Sequence, residues 1–287
     1  MNITIRPITN TDTEACGQIV FEAFKRFHDR HQFSRDFKTL EDAMQLTSLF
    51  VNHPEIFGVV AEIDGQIVGS NFLDERNLIR GVGPITVAPD VQERGVGRQL
   101  MEAVIERGRE SAGIRLMQDA FNVISLSLYA SLGFEVKEPL ALMEGTPKTK
   151  AQAGVEVRLL LSEDLAECSA LCKQVHGFDR INELQDALEL FSPVVALREG
   201  RITAYASAPY YWKLNHGVAE TEEDMRALIM GAGTMNTDPM AMLVPVRQAG
   251  LFRWCLHEGL RVLKPMTLMT MGKYQDPNGC YFPSVLY

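Results

Sequence analysis

Apolar and polar positions alternate with a period of two over Ile3–Ile8, which predicts a strand. Asn10 or Thr11 can cap a helix carrying Cys16, Ile19, Val20 and Phe24, and a second helix is predicted over Thr39–Phe50. Phe57–Leu73 holds two β-branched runs about Asp64-Gly65, the strongest short hairpin signal in the chain. A strand near Ile85 precedes a helix from Val96, with Val96, Leu100 and Val104 on one face and Met101 and Ile105 beside them. Ile114–Phe121 reads as a strand, then a short helix passes through Leu128 and Tyr129, with further strands at Glu135 and Leu140.

The segment Glu144–Gly154 is polar and has no apolar period, as a linker would. Beyond it the opening pattern returns in weaker form. Val155–Cys172 parallels the first strand and helix, and Ser192–Ser207 parallels the first hairpin, with Glu199-Gly200 at its turn. Arg253–Met271 resembles the first half's long helix and its next strand. The pattern predicts two copies of one domain, at residues 1–146 and 155–287, joined by a linker at 147–154.

Composition narrows the classes. Of 287 residues, 46% are hydrophobic and 23% charged, which suits a globular chain and argues against disorder. No apolar run approaches the roughly 20 residues that cross a bilayer, so no membrane association is expected. The opening residues lack the stages of a secretory signal, and five cysteines with no C-x-x-C pair suit a reduced, cytoplasmic protein. The net charge of −9 disfavours a grip on nucleic-acid phosphates. Residues 1–147 carry 14 basic and 21 acidic residues, so this half would draw in a cationic substrate, although solubility alone could account for the excess.

The candidate chemistry centres on Val87–Arg98, between a strand and an amphipathic helix. A helix start exposes unpaired N–H groups and the positive end of its dipole. Gly95 and Gly97 let the backbone approach an anion, and Arg94 and Arg98 can add charge. It is not a Walker loop, since no Gly-Lys-Ser/Thr follows Gly97; a dinucleotide fingerprint would need a third glycine. The pattern V-x-P-x-x-Q-x-x-G-x-G, from Val87 to Gly97, resembles the acyl-CoA motif of the GNAT superfamily of N-acyltransferases. Asn122–Phe134 is similar to that family's N-x-x-[AS]-x-x-L-Y-x-x-x-G-F.

The resemblance covers residues 3–145 well and 155–287 in outline. It implies an α/β fold (α+β layered): two tandem GNAT-like domains, each a mixed, mostly antiparallel twisted sheet flanked by helices. It also implies acetyl-CoA as co-substrate and no metal. Main-chain groups of Ile85 and Val87 would pair with the pantetheine arm, at a bulge expected where Pro84 lacks a donor and Gly83 weakens packing. Backbone N–H groups of Gln92, Glu93, Arg94, Gly95, Val96, Gly97 and Arg98 would hold the diphosphate, and the Asn122 amide would bond the arm. Tyr129 stands where the family carries its general acid, and a phenol suits protonation of a departing thiolate.

The general base is left open among Glu75, Asp74, Asp119 and water, since Gly81–Pro84 has no carboxylate. His28, His31 and His53 lack metal-ligand spacing and read as surface residues. Phe24, Phe27, Phe33 and Phe37 either wall a substrate pocket or pack a helix. Tyr210–Trp212 either borders a pocket or closes a strand end, and Cys168 and Cys172 face a core.

In the second half, Leu243–Gly259 is the nearest counterpart of the phosphate loop and keeps only Gly250. That half is expected to be a structural partner in an intramolecular pseudo-dimer, lining the amine pocket, in a chain that is a monomer or weak dimer. The expected function is acetyl transfer to a small-molecule or peptide amine. The alternative is a non-catalytic acyl-CoA-binding or regulatory module.

Overall fold

The structure is a computed structural model and describes residues 2–92, 94–150 and 152–286. The chain forms two compact units, Met1–Ile114 and Arg115–Tyr287. In the first, β1 (Ile3–Pro7) is followed by a 3-10 turn and α1 (Thr13–His31), then α2 (Leu40–Asn52), β2 (Ile56–Ile63), β3 (Gln66–Asp74), β4 (Ile79–Val82), β5 (Thr86–Val87) and α3 (Val96–Gly108). Strands run in the order β1-β2-β3-β4, with β5 also on β3. Asp64 and Gly65 both take positive φ at the β2–β3 turn, which places Ile63 opposite Gln66. α3 buries Val96, Leu100, Met101 and Val104 against β1, β2 and β3.

β6 (Gly113–Asp119) leads into the second unit, which continues with α4 (Val123–Ser131), β7 (Glu135–Gly145), β8 (Glu156–Leu159), α5 (Leu165–His176), α6 (Ile181–Leu190), β9 (Val194–Arg198), β10 (Arg201–Ala206), β11 (Gly217–Ala219), α7 (Glu222–Ala232), β12 (Met240–Pro245), α8 (Ala249–His257), β13 (Arg261–Gly272) and β14 (Cys280–Phe282). β8 to β11 repeat the order of β1, β2, β3 and β5, with α5 and α6 for α1 and α2 and α7 for α3. The five-stranded sheet β14-β11-β10-β9-β8 is covered on both faces. Met225, Leu228 and Ile229 of α7 meet Ala196 and Ala204, whereas Cys168, Cys172 and Val175 of α5 meet Val195, Ile202 and Tyr205. Neighbouring strand residues point to opposite faces, so each strand feeds two cores.

Two expectations change here. Glu135–Gly145 is one 11-residue strand, not two, because Pro139 interrupts the sequence pattern without breaking the extended backbone. The counterpart of the long helix α3 is α7; α8 and β13 instead repeat the short α4 and β7.

The strands that end the two similar runs of elements, β7 and β13, are interleaved. The order is β6-β13-β7-β12, so β13 separates β6 from β7 and β7 separates β13 from β12. The contacts come in pairs 126 positions apart. Ala120 N donates to Pro265 O at 3.1 Å, and Val246 N donates to Pro139 O at the same distance. Glu138 and Lys264 are likewise equivalent, both almost fully buried, and of opposite charge. Glu138 takes Arg247 (2.6 Å), and Lys264 takes Asp119 (2.6 Å).

Candidate active site

The β3 ladder explains how the chain enters the glycine loop. Leu73 and Asp74 face Val82 and Gly81, while Gly69 and Ser70 face Val87 and Thr86. Two residues, Asn71 and Phe72, therefore oppose three, Gly83 to Ile85: a bulge at the expected place. Gly83 takes φ +128 and its N–H donates to Phe72 O, and the Gly83-Pro84 peptide is cis.

Ala88 N then donates to Val68 O, and the Gln92 side chain donates to Val87 O at 3.1 Å, so Gln92 ties the loop back to β5. Gly95 is the N-cap of α3 at φ +84, where a Cβ would meet no neighbour; conformation, not crowding, favours glycine there. No side chain caps α3 and its first turn carries no acid. Its opening N–H groups therefore suit an anion. Arg98 lies beside Glu102 at 3.8 Å. Glu93 lies outside the described residues.

The second motif lies in the second unit. Asn122 caps α4, its Oδ1 accepting from Ser125 N at 3.1 Å. Tyr129 is 6% exposed, with its ring edge-on to Phe134. Burial, and secondarily the charge of Asp119, raises its pKa above the usual phenol value, so Tyr129 holds its proton at neutral pH.

All three carboxylates proposed as bases are ion-paired. Asp74 is buried against Arg76 (2.6 Å), Glu75 pairs with Arg107 (2.8 Å), and Asp119 with Lys264. The sequence reading missed Lys264; the one signal was the aligned Glu138-Pro139 and Lys264-Pro265 of the two copies.

The second copy differs at each corresponding point. The β10–β11 ladder is unbroken, pairing Ala204 with Ala219 and Ala206 with Gly217. Eight residues separate Val87 from α3, but two separate Ala219 from α7. This shortened turn, not Leu243–Gly259, is the counterpart of the phosphate loop; Leu243–Gly259 matches the β6–α4 turn. Thr221 caps α7 by accepting from Asp224 N, and Glu222, Glu223 and Asp224 fill the first turn. Gln248 and Cys255 take the positions of Asn122 and Tyr129.

Other candidates are packing residues. His28 is fully buried, correcting its surface assignment: Nδ1 lies 2.8 Å from Phe24 O and Nε2 3.6 Å from Asp36, with Phe24 and Phe27 around its ring. Phe24 also meets buried Phe37 edge-on. Tyr210 OH donates to Ala232 O, and Tyr211 stacks on Phe191. No described helix is long and apolar enough to cross a membrane.

Residues 54–136 match the family model described as an acetyltransferase (GNAT) domain. Two solved structures share the fold over nearly the whole chain. One, a candidate acetyltransferase from Pyrococcus horikoshii, is 18% identical with TM-score 0.75, covering 97% of this chain and 94% of that one. The other, a GCN5-related N-acetyltransferase from Sphaerobacter thermophilus, is 13% identical with TM-score 0.62, covering 96% and 98%. No curated protein matches the sequence. Residues 54–136 thus resemble a GNAT acetyltransferase domain, and the chain has a mixed α/β fold of mostly antiparallel sheets flanked by helices.

Proposed function

We propose that the chain is an acetyl-CoA-dependent N-acetyltransferase, with its two copies at residues 1–146 and 155–287 and its catalytic residues in the first. The observation that carries this is the β5–loop–α3 turn. It lies inside the matched stretch, opens on a bulge, and presents a glycine-capped helix start without acids. Backbone N–H groups from Gln92 to Arg98 would hold the diphosphate, Ile85 and Val87 the pantetheine arm, and Asn122 the arm's amides.

When bound, acetyl-CoA supplies a thioester that a neutral amine attacks directly. The chain orients the two and manages protons. Tyr129, which keeps its proton at neutral pH, would give it to the departing thiolate. With Asp74, Glu75 and Asp119 all ion-paired, water is the better acceptor of the amine proton. The net charge of −7 over residues 1–147 favours a cationic amine, on a small molecule or a peptide. The reading places the protein in the cytoplasm.

Calorimetric titration with acetyl-CoA tests this reading, followed by an amine screen that monitors CoA release. One equivalent per chain and turnover with an amine are expected. No binding ends the proposal. Binding without turnover on any amine favours the second reading, a non-catalytic acyl-CoA module, which the three paired carboxylates keep in view.

A further inference from the structure

β11 and β12 belong to different sheets, yet they meet at one end, where the Asn215 amide donates to Ala241 O at 3.1 Å. β14 pairs with β11 along Gly217–Ala219 and packs on β12, so the two strands flank a cleft that it fills. We infer that this cleft is a strand-binding site whose ligand is the chain's own segment 278–283, held as an extended peptide.

Three features are those of a peptide site. The main chain is read on both edges. β11 pairs Ala219 with Cys280, Val218 with Tyr281 and Gly217 with Phe282. On the other edge the Gln248 carboxamide acts as a substitute strand: Nε2 donates to Tyr281 O at 2.7 Å, and Oε1 accepts from Tyr281 N at 3.3 Å and from the Cys280 thiol. Alternate side chains enter separate pockets, as in β-augmentation. Tyr281 packs edge-on to His176 and donates to Glu138, and Phe282, fully buried, sits over Gly217. The cleft is also shaped to admit the segment. A Cβ on Gly217 would stand 2.4 Å from the Phe282 ring, and one on Gly279 2.8 Å from Ala219 O.

Gln248 is the counterpart of Asn122, and β11 that of β5. On the proposed function, polypeptide therefore fills in the second copy the position that the first copy gives to the pantetheine arm. That comparison rests on the acetyltransferase reading; the strand site does not.

The test inserts a protease site into the full chain between Gln275 and Asp276, where it has neither helix nor strand. After cutting, a labelled synthetic peptide of residues 276–287 is expected to exchange in at one per chain, with no CoA present. Gln248→Ala should release it about tenfold faster, the scale of one or two lost hydrogen bonds. Gly217→Val should abolish exchange. Equal release from Gln248→Ala overturns the inference. So does loss of the circular-dichroism signature when the fragment leaves, since that makes β14 an integral core strand. A second equivalent of CoA bound by the uncut chain removes the claim that the arm position is filled. Absence of any CoA binding defeats the acetyltransferase reading alone and leaves the peptide result standing.

Discussion

α3 and α7 hold the same place in two runs of similar element order, and they start in opposite ways. α3 begins after an eight-residue loop, on a left-handed glycine, with no capping side chain and no acid in its first turn. α7 begins two residues after its strand, with Thr221 satisfying one donor and three acids set against the dipole. An isolated helix would favour the second arrangement. The first has neither a capping side chain nor an acid to compete with an anion, which is the form expected where a ligand completes the structure. Packing against the sheet is common to both copies and so says little about function; the helix start distinguishes them.

The largest expected effect comes from removing the second copy. A piece ending near Thr149 loses β13, which lies between β6 and β7, and with it Lys264. That piece should fail to fold, read by circular dichroism and size exclusion. If it is soluble, monomeric and fully active, the interleaved strand is dispensable. Next, Tyr129→Phe should lower kcat by about two to three orders of magnitude while leaving CoA affinity unchanged. Cys255→Ala, at the matching position, should leave turnover intact. Its thiol is buried and pushed up to about 12, so it has no part in proton transfer.

Much of this was legible in the sequence. Asp64-Gly65 and Glu199-Gly200 mark both hairpins because adjacent positive-φ positions draw few residue types. The glycine loop and the Asn122–Phe134 motif also stand out locally. The interleaving of β7 and β13 does not, because each alternates like any strand and its partner lies over a hundred residues away. The same holds for Lys264 with Asp119, and for β14, whose recognition depends on Gln248, 33 residues from Tyr281. The counterpart of the phosphate loop lies at the start of α7, not at Leu243–Gly259, because a two-residue turn leaves no loop sequence to recognise.

The buried ion pair at the interleaved strands supplies a third prediction. Lys264→Met strands Asp119 without its partner and should cost about 3–5 kcal/mol in chemical denaturation. Arg247→Met should cost less, because Arg247 is half exposed and Glu138 keeps the Tyr281 hydroxyl. A fourth prediction gives α3 the character of α7. Gly97→Asp places an acid in its first turn and should weaken CoA about tenfold to a hundredfold in calorimetry. Unchanged affinity would remove the α3 start from the cofactor site.

The smallest effect compares the two copies where they are most alike. Arg6 pairs with Asp12 and Arg158 with Asp164, in each case just after the first strand. The arginine hydrogen bond is the first cause holding each aspartate below the usual carboxylate range. That stabilisation is present above the unfolded carboxylate value of about 4, and it is lost as pH falls through the folded value. Asp12 also accepts from Thr9 N and from the Thr9 hydroxyl, whereas at Asp164 the matching residue is Leu161, which donates its N–H and has no hydroxyl. Asp12→Asn should therefore cost about 1–2 kcal/mol and Asp164→Asn about half that, the range of a helix-start hydrogen bond. Both variants should show a flatter loss of stability in acid than the parent, read from denaturation midpoints between neutral pH and about pH 3. Equal costs would mean that the Thr9 hydroxyl adds nothing and that the two copies are bound at this joint by the arginine pair alone.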